Sequence, residues 1–251
     1  MAWERFMKKN RFLISAINDE IAPNFYEQIR ILNNNSIKFI ELRKINGKYL
    51  FELLYEELYN IKLILERFKI NVSLIDSPIG KKQLSSIEKY IEIAKMFNCD
   101  KIRIFSNCDL EVLNRVAFQN NITLLLENEP KTYGSDPKYC LDAIQKHSNI
   151  QLLFDIENYH VCGFNVFETY EMLKTNIVYI HLRDRIDNQY VVPGYGNLEI
   201  NRFLSLLKSD CYEYYVSLEM HLSMNNKEDK LKLSFEEGYK SFISKINGGV
   251  K

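Results

Sequence analysis

Eight short apolar runs, each followed by a stretch with helical spacing, set the possibilities for this chain. The runs are FLISAIN (12–18), KFIEL (38–42), NVSLIDS (71–77), KIRIFS (101–106), ITLLLENE (122–129), IQLLFDIEN (150–158), IVYIHLRD (177–184) and YYVSLEMH (214–221). They are rich in Ile, Val, Phe and Tyr, side chains that suit a pleated, half-buried surface. Between them lie stretches such as NFYEQIRILNNN and SSIEKYIEIAKMF, whose apolar residues recur three and four apart. Strict alternation of strand and helix implies a parallel sheet. Eight such units in 251 residues match an α/β (β/α)8 TIM barrel of eight parallel strands. A doubly wound open sheet is the rival, but no G-x-G-x-x-G follows any run, so its phosphate turn is missing. The fourth unit is expected to be reduced. Between Ser106 and Ile122 there is room for a short loop and a helix over Leu110–Gln119, roughly three turns at ~3.6 residues each.

No Pro/Gly/Ser-rich linker or charge block divides the chain, so residues 1–251 are read as one domain. Lys plus Arg total 33 and Asp plus Glu total 33, giving zero formal charge. That balance offers no electrostatic footprint for nucleic acid or an anionic membrane. The five cysteines, Cys99, Cys108, Cys140, Cys162 and Cys211, include no C-x-x-C pair. Small reduced thiols in a cytoplasmic protein are the expectation. The N-terminal apolar run Phe12 to Ile17 is broken by Asn18, Asp19 and Glu20, and is too short for a signal peptide or a membrane span.

The informative positions are the strand C-termini. The fifth run carries Glu127-Asn128-Glu129, the sixth Asp155-Ile156-Glu157-Asn158, the seventh His181-Leu182-Arg183-Asp184 and the eighth Glu219-Met220-His221. In a barrel these ends meet at one face. Strand side chains alternate with period two, so Glu127 and Glu129 share a face, as do His181 and Arg183, and Glu219 and His221. If the first of each pair points inward, Glu127, Asp155, His181 and Glu219 converge on one mouth. Three crowded carboxylates repel, and either a proton or a divalent cation must relieve them. Three carboxylates and one imidazole favour Mn²⁺ or Mg²⁺, with Co²⁺ and Zn²⁺ left open. The alternative is a set of separate ion pairs at the barrel rim.

At these residues the sequence resembles the xylose isomerase-like barrel superfamily. That group includes sugar-phosphate isomerases, ketose 3-epimerases, inosose dehydratases and apurinic endonucleases. The resemblance runs from about Phe12 to about Ile243 and rests on SAINDEIAP, FIELR, SPIGK, LLLENEPKTYG, LLFDIENYHVCG, YIHLRD, VVPGYG and SLEMHL, in that order. It implies that Glu127, Asp155, His181 and Glu219 bind one divalent metal ion. It also implies chemistry next to a carbonyl, with Glu127 and Glu219 as proton-transferring carboxylates and an enediolate between substrate and product. Three departures bear on substrate identity. Tyr195 stands between Gly194 and Gly196 where an acid is usual. Asn158 stands where many members carry His, and the fourth unit is short.

The secondary candidates each have two readings. Glu41 and Arg43 bind substrate hydroxyls or pair with each other. Lys81 holds an anion or is a solvated loop lysine. Arg183 holds a phosphate, as a planar bidentate donor would, or supports Asp155 or Glu219. Glu129, His221 and Asn158 orient a ligand or substrate, while His160 faces the site or the surface, and Phe105 and Tyr133 offer aromatic walls. The expected function is a metal-dependent sugar or sugar-phosphate isomerase or epimerase. A polyol (inosose-type) dehydratase and a non-catalytic small-ligand-binding barrel are the alternatives. With only four histidines, one at a clear strand end, the multi-metal endonuclease reading is disfavoured. The expected partners are a small sugar, sugar phosphate or polyol and, as relatives of this kind are often dimers or tetramers, a second copy of the chain.

Overall fold

The computed structural model describes residues 13–81, 87–222 and 234–248. Phe12, Ser85 and Ser86, at the edges of two expected elements, lie outside the described residues. All eight runs form parallel strands: β1 (Leu13–Ala16), β2 (Phe39–Leu42), β3 (Asn71–Asp76), β4 (Lys101–Ile104), β5 (Thr123–Glu127), β6 (Ile150–Asp155), β7 (Ile177–Leu182) and β8 (Tyr215–Leu218). Their order is β1-β8-β7-β6-β5-β4-β3-β2. A parallel bridge between Ile17 and Glu41 brings the two end strands together, so the barrel is nearly closed.

Parallel neighbours need a crossover, and helices supply it. They are α1 (Phe25–Asn34), α2 (Tyr55–Phe68), α3 (Ile87–Met96), α4 (Leu110–Gln119), α5 (Pro137–Lys146), α6 (Val166–Leu173), α7 (Ile200–Ser209) and α8 (Phe235–Gly248). Several begin where a short polar side chain accepts an otherwise orphan N–H. Asn24 caps α1, Asp109 caps α4, Asp136 caps α5 ahead of Pro137, and Asn165 caps α6. Each such cap contributes about 1 kcal/mol. In the fourth unit only Phe105–Asp109 separates strand from helix, so its share of the barrel mouth is small. Its helix has ten residues, as do α1, α5 and α7, and the economy therefore lies in the loop.

Period two sorts the core. Leu124, Leu126, Leu152, Phe154, Ile180, Leu182, Val216 and Leu218 belong to the apolar layer shared with the helices, where Phe154 stacks on Phe203 at 6.0 Å. The alternate positions Leu125, Leu153 and Tyr179 form a second cluster with Leu74. Above them in the chain come Glu127, Asp155 and His181. Thus the pattern that fills the barrel floor also places the polar groups two residues further on. Ser15, Ser73 and the Tyr179 hydroxyl join in a buried hydrogen-bond chain at 2.7 and 2.8 Å.

One expected strand end differs. The sixth strand stops at Asp155, and Ile156–Val161 is helical. Asp155 Oδ1 accepts the Asn158 N–H at 2.8 Å, which caps that helix and turns the chain away from the sheet. Two short ribbons also stand at the mouth: Lys44–Ile45 with Lys48–Tyr49, and Arg185–Ile186 with Gln189–Tyr190. The five cysteines are free. Among the described residues no helix is long and apolar enough to cross a membrane.

Candidate metal centre and its cavity

Strand order puts Glu219, His181, Asp155 and Glu127 in a row across β8, β7, β6 and β5. One ligand atom from each lies within 4.8 Å of the others, and all four side chains are buried. His181 is the hub. Its Nδ1 faces Glu219 Oε2 at 3.1 Å, Glu127 Oε1 at 3.5 Å and Asp155 Oδ2 at 3.8 Å. Its Nε2 lies 3.0 and 3.1 Å from the two oxygens of Glu41. With Nε2–H donated to that carboxylate, Nδ1 faces the acidic row, where it holds a proton in the metal-free chain and would offer its lone pair to a cation.

Each carboxylate is held by an arginine. Arg103 Nη1 donates to Glu127 Oε2 at 3.0 Å, while its Nε stands 3.0 Å from Asp76 Oδ1. Arg43 spreads over Asp19, Glu20 and Glu219 at 2.8, 2.9 and 3.0 Å. Arg183 donates to Asp155 Oδ2, lies 3.3 Å from Glu157 Oε2, and has its Nε 3.6 Å from Glu219 Oε2. The backbone of Asp155 is bracketed by the Asn128 amide at 2.7 and 2.9 Å. Asp184 is spent on the following loop. It accepts N–H groups of Arg185, Gly194, Gly196 and Leu198 at 2.9, 2.9, 2.8 and 3.2 Å.

The electrostatic strain in this row gathers on Asp155. Burial, reinforced by Glu219 and Glu127, pushes Asp155 up to about 7 despite Arg183. Burial also acts on Glu127, but Arg103 and His181 outweigh it and hold this group at about 2. Glu219 is likewise held well below the carboxylate range, burial being overcome by Arg183, His181 and His221. His181 is raised well above an ordinary imidazole, since Glu41 and Glu219 overcome its burial. His181 Nδ1 and Glu219 Oε2 are buried atoms without a hydrogen-bond partner, even though they approach each other. An imidazole nitrogen and a carboxylate oxygen, both able to offer a lone pair and both left unbonded on one spot, fit a shared divalent ion. The donor set therefore fits the metal that the sequence called for.

A cavity of about 530 Å³ opens beside this row. It is lined by the expected Arg183, His221, Glu129, Lys81 and Asn158, with Glu127 and Glu219 at its base. Phe105 also lines it. Lys81 pairs with Glu129 and sits 5.2 Å over the Phe105 ring. His221 is clamped between Glu20 Oε1 at 2.6 Å and Glu219 Oε1 at 3.3 Å, which raises it to about 9 against the effect of burial.

Glu41 is placed otherwise than expected. It is 0% exposed, does not line the cavity, and accepts from Ser217 Oγ at 2.8 Å besides holding His181. A register shift between Ile40 and Glu41 accompanies this placement beneath the imidazole. Glu41 thus stands behind the candidate ligand His181 and away from the cavity. His160 and Tyr133 are exposed and outside the cavity. Arg103, Arg185, Glu157, Tyr190 and Glu20 were not foreseen. The one available signal was charge inside an apolar run, as with Arg103 in KIRIFS.

A family model described as xylose isomerase-like TIM barrel matches residues 51–239. No curated protein matches the sequence. Among solved structures, a probable 3-DHS dehydratase from Bacillus anthracis superposes with TM-score 0.69 and 16% identity, covering 94% of this chain and 98% of that one. A 3-keto-D-glucoside 4-epimerase from E. coli gives 0.68 and 15%, covering 94% and 98%. A D-allulose 3-epimerase from Methylomonas sp., in complex with D-allulose, gives 0.66 and 11%, covering 84% of each chain. At these identities the likenesses bear on the fold alone. The family model, matching more than half of the chain, shows that this chain belongs to the xylose isomerase-like TIM barrel family.

Proposed function

We propose that the chain is a divalent-metal-dependent isomerase or epimerase acting on a sugar or sugar derivative. The observation that carries this reading is His181 Nδ1, buried without a hydrogen-bond partner within 3.8 Å of carboxylates from three other strands. Glu127, Asp155, His181 and Glu219 would hold the ion, and the oxygen-rich set favours Mn²⁺ or Mg²⁺. Such an ion would polarise a substrate carbonyl and an adjacent hydroxyl.

The proton chemistry falls to Glu127 and Glu219, at the two ends of the row. Each gives one oxygen to an arginine, Arg103 or Arg43, and turns the other toward His181. That fixes both carboxylates ionised and oriented, as general bases must be. One removes a proton from the carbon next to the carbonyl; the acid so formed returns it to the neighbouring carbon to give the isomer, while the epimer needs a proton drawn from solvent through the other carboxylate on the opposite face. The dehydratase reading has one observation in its favour. His221 lines the cavity, and with a value near 9 it carries a proton that could leave with a hydroxide.

Metal analysis followed by proton exchange in D₂O over a sugar panel tests the proposal. Bound metal with deuterium entering a ketose or aldose at the carbon next to the carbonyl is the expected result. Loss of a hydroxyl from the product would favour dehydration. Metal without any exchange would favour a barrel that only binds its ligand.

A further inference from the structure

The cavity wall is richer in cations than in anions, with six Lys and Arg side chains against four Glu. Half of the cations are matched locally. Arg103 has Asp76 and Glu127, Arg43 has three carboxylates, and Lys81 has Glu129. The side next to β6 and β7 is different. There a single carboxylate, Glu157, is shared by two guanidiniums, at 3.3 Å from Arg183 and 2.6 Å from Arg185, while the Asp187 carbonyl at 2.5 Å and Asn188 Oδ1 at 3.1 Å brace Arg185 without neutralising its charge. The remaining carboxylate partners of Arg183 are Asp155 and Glu219, both candidate metal ligands, and its Nη1 also lies 3.2 Å from His221 Nε2. Carboxylates engaged with a divalent ion have less charge left for a guanidinium, so positive charge is left over on this side.

A second observation is independent of charge. Asn158 lines the cavity at 4% exposure, and its buried Nδ2 has no hydrogen-bond partner. Nor has Arg183 Nε. A buried donor without an acceptor is costly, and two of them at one cavity offer unfilled bonds to a ligand. Guanidinium forks beside an amide donor suit a planar or tetrahedral oxyanion.

We infer that Arg183, Arg185 and Asn158 form a subsite for an oxyanion substituent, a phosphate or carboxylate, so that the substrate is an acidic sugar derivative and not a neutral sugar. This rests on the isomerase or epimerase reading for the rest of the substrate. Arg185 is the residue to test, because Arg183 touches two candidate ligands and its loss would alter metal binding as well.

The full chain, with and without Mn²⁺, is titrated calorimetrically with inorganic phosphate, D-fructose, D-fructose 6-phosphate and D-gluconate. An acidic sugar should bind about tenfold more tightly than D-fructose, the gain of one charge-assisted pair. Which acid wins identifies phosphate or carboxylate. Arg185→Met should bring the ratio to near one, and Arg185→Lys should restore part of it. If D-fructose binds as tightly as both acids, if no probe binds, or if Arg185→Met keeps the preference, the subsite is wrong. A chain that takes up no Mn²⁺ yet binds phosphate through Arg185 would overturn the metal reading and keep the subsite.

Discussion

Changing Glu41 to Gln removes one charge behind the imidazole and almost nothing else. Both residues are 0% exposed, and both Glu41 oxygens lie within 3.1 Å of His181 Nε2. A glutamine oxygen can still accept the Nε2–H, and its amide can turn to Ser217, whose hydroxyl now bonds Glu41 Oε2. The hydrogen bonds therefore survive, and the fold should lose only about 1 kcal/mol, or roughly 2–4 °C in Tm for a chain of this size. What goes is the negative charge that makes Nδ1 a better donor to metal. Loss of such a supporting carboxylate costs about 10–100-fold in metal affinity, or about 1.4–2.8 kcal/mol. Calorimetric titration of chelator-treated protein with Mn²⁺, beside a thermal melt, reads both quantities. A folded Glu41→Gln chain that binds Mn²⁺ as tightly as wild type would refute the role given to Glu41.

Three other outcomes follow from the same geometry. Glu219→Gln should fold but lose metal affinity or turnover, and full activity in that variant would remove Glu219 from the mechanism. Gly196→Ala should destabilise by about 1–3 kcal/mol, because its Cβ would lie 2.2 Å from Asp184 Oδ1 and 2.5 Å from the Arg185 carbonyl; an unchanged Tm would contradict that packing. His221, at about 9 in the fold against 6.5 ordinarily, has a raised value, so its pairing with Glu219 and Glu20 stabilises fully below pH 6.5 and is lost as pH rises through 9. The loss in metal-free protein should be on the order of 1–3 kcal/mol, read by urea unfolding at both ends of that window. His221→Gln should flatten the difference, and an unaltered pH slope would count against the pairing.

The barrel was legible because two periodicities, two and 3.6, alternate cleanly along the chain, and acidic residues enter the apolar runs near strand ends. Glu127, Asp155 and His181 could be read from that interruption, since each follows an inward Leu or Tyr by two residues. The support around them was not legible. Arg43 reaches Glu219 across 176 positions, and Arg103 joins strands β3 and β5 from between them. Such pairings depend on the reach of long side chains after the barrel has closed, and no local pattern records them. Glu41 does point into the barrel, but its contact with His181 and Ser217 joins three strands, which its position near the end of one strand does not reveal.

Anomalous diffraction from crystals soaked in Mn²⁺ meets the central claim most directly. One peak bounded by Glu127, Asp155, His181 Nδ1 and Glu219 is the predicted result. A fully soaked crystal with no peak there, and with those side chains still turned to Arg103, Arg183 and Arg43, would contradict it.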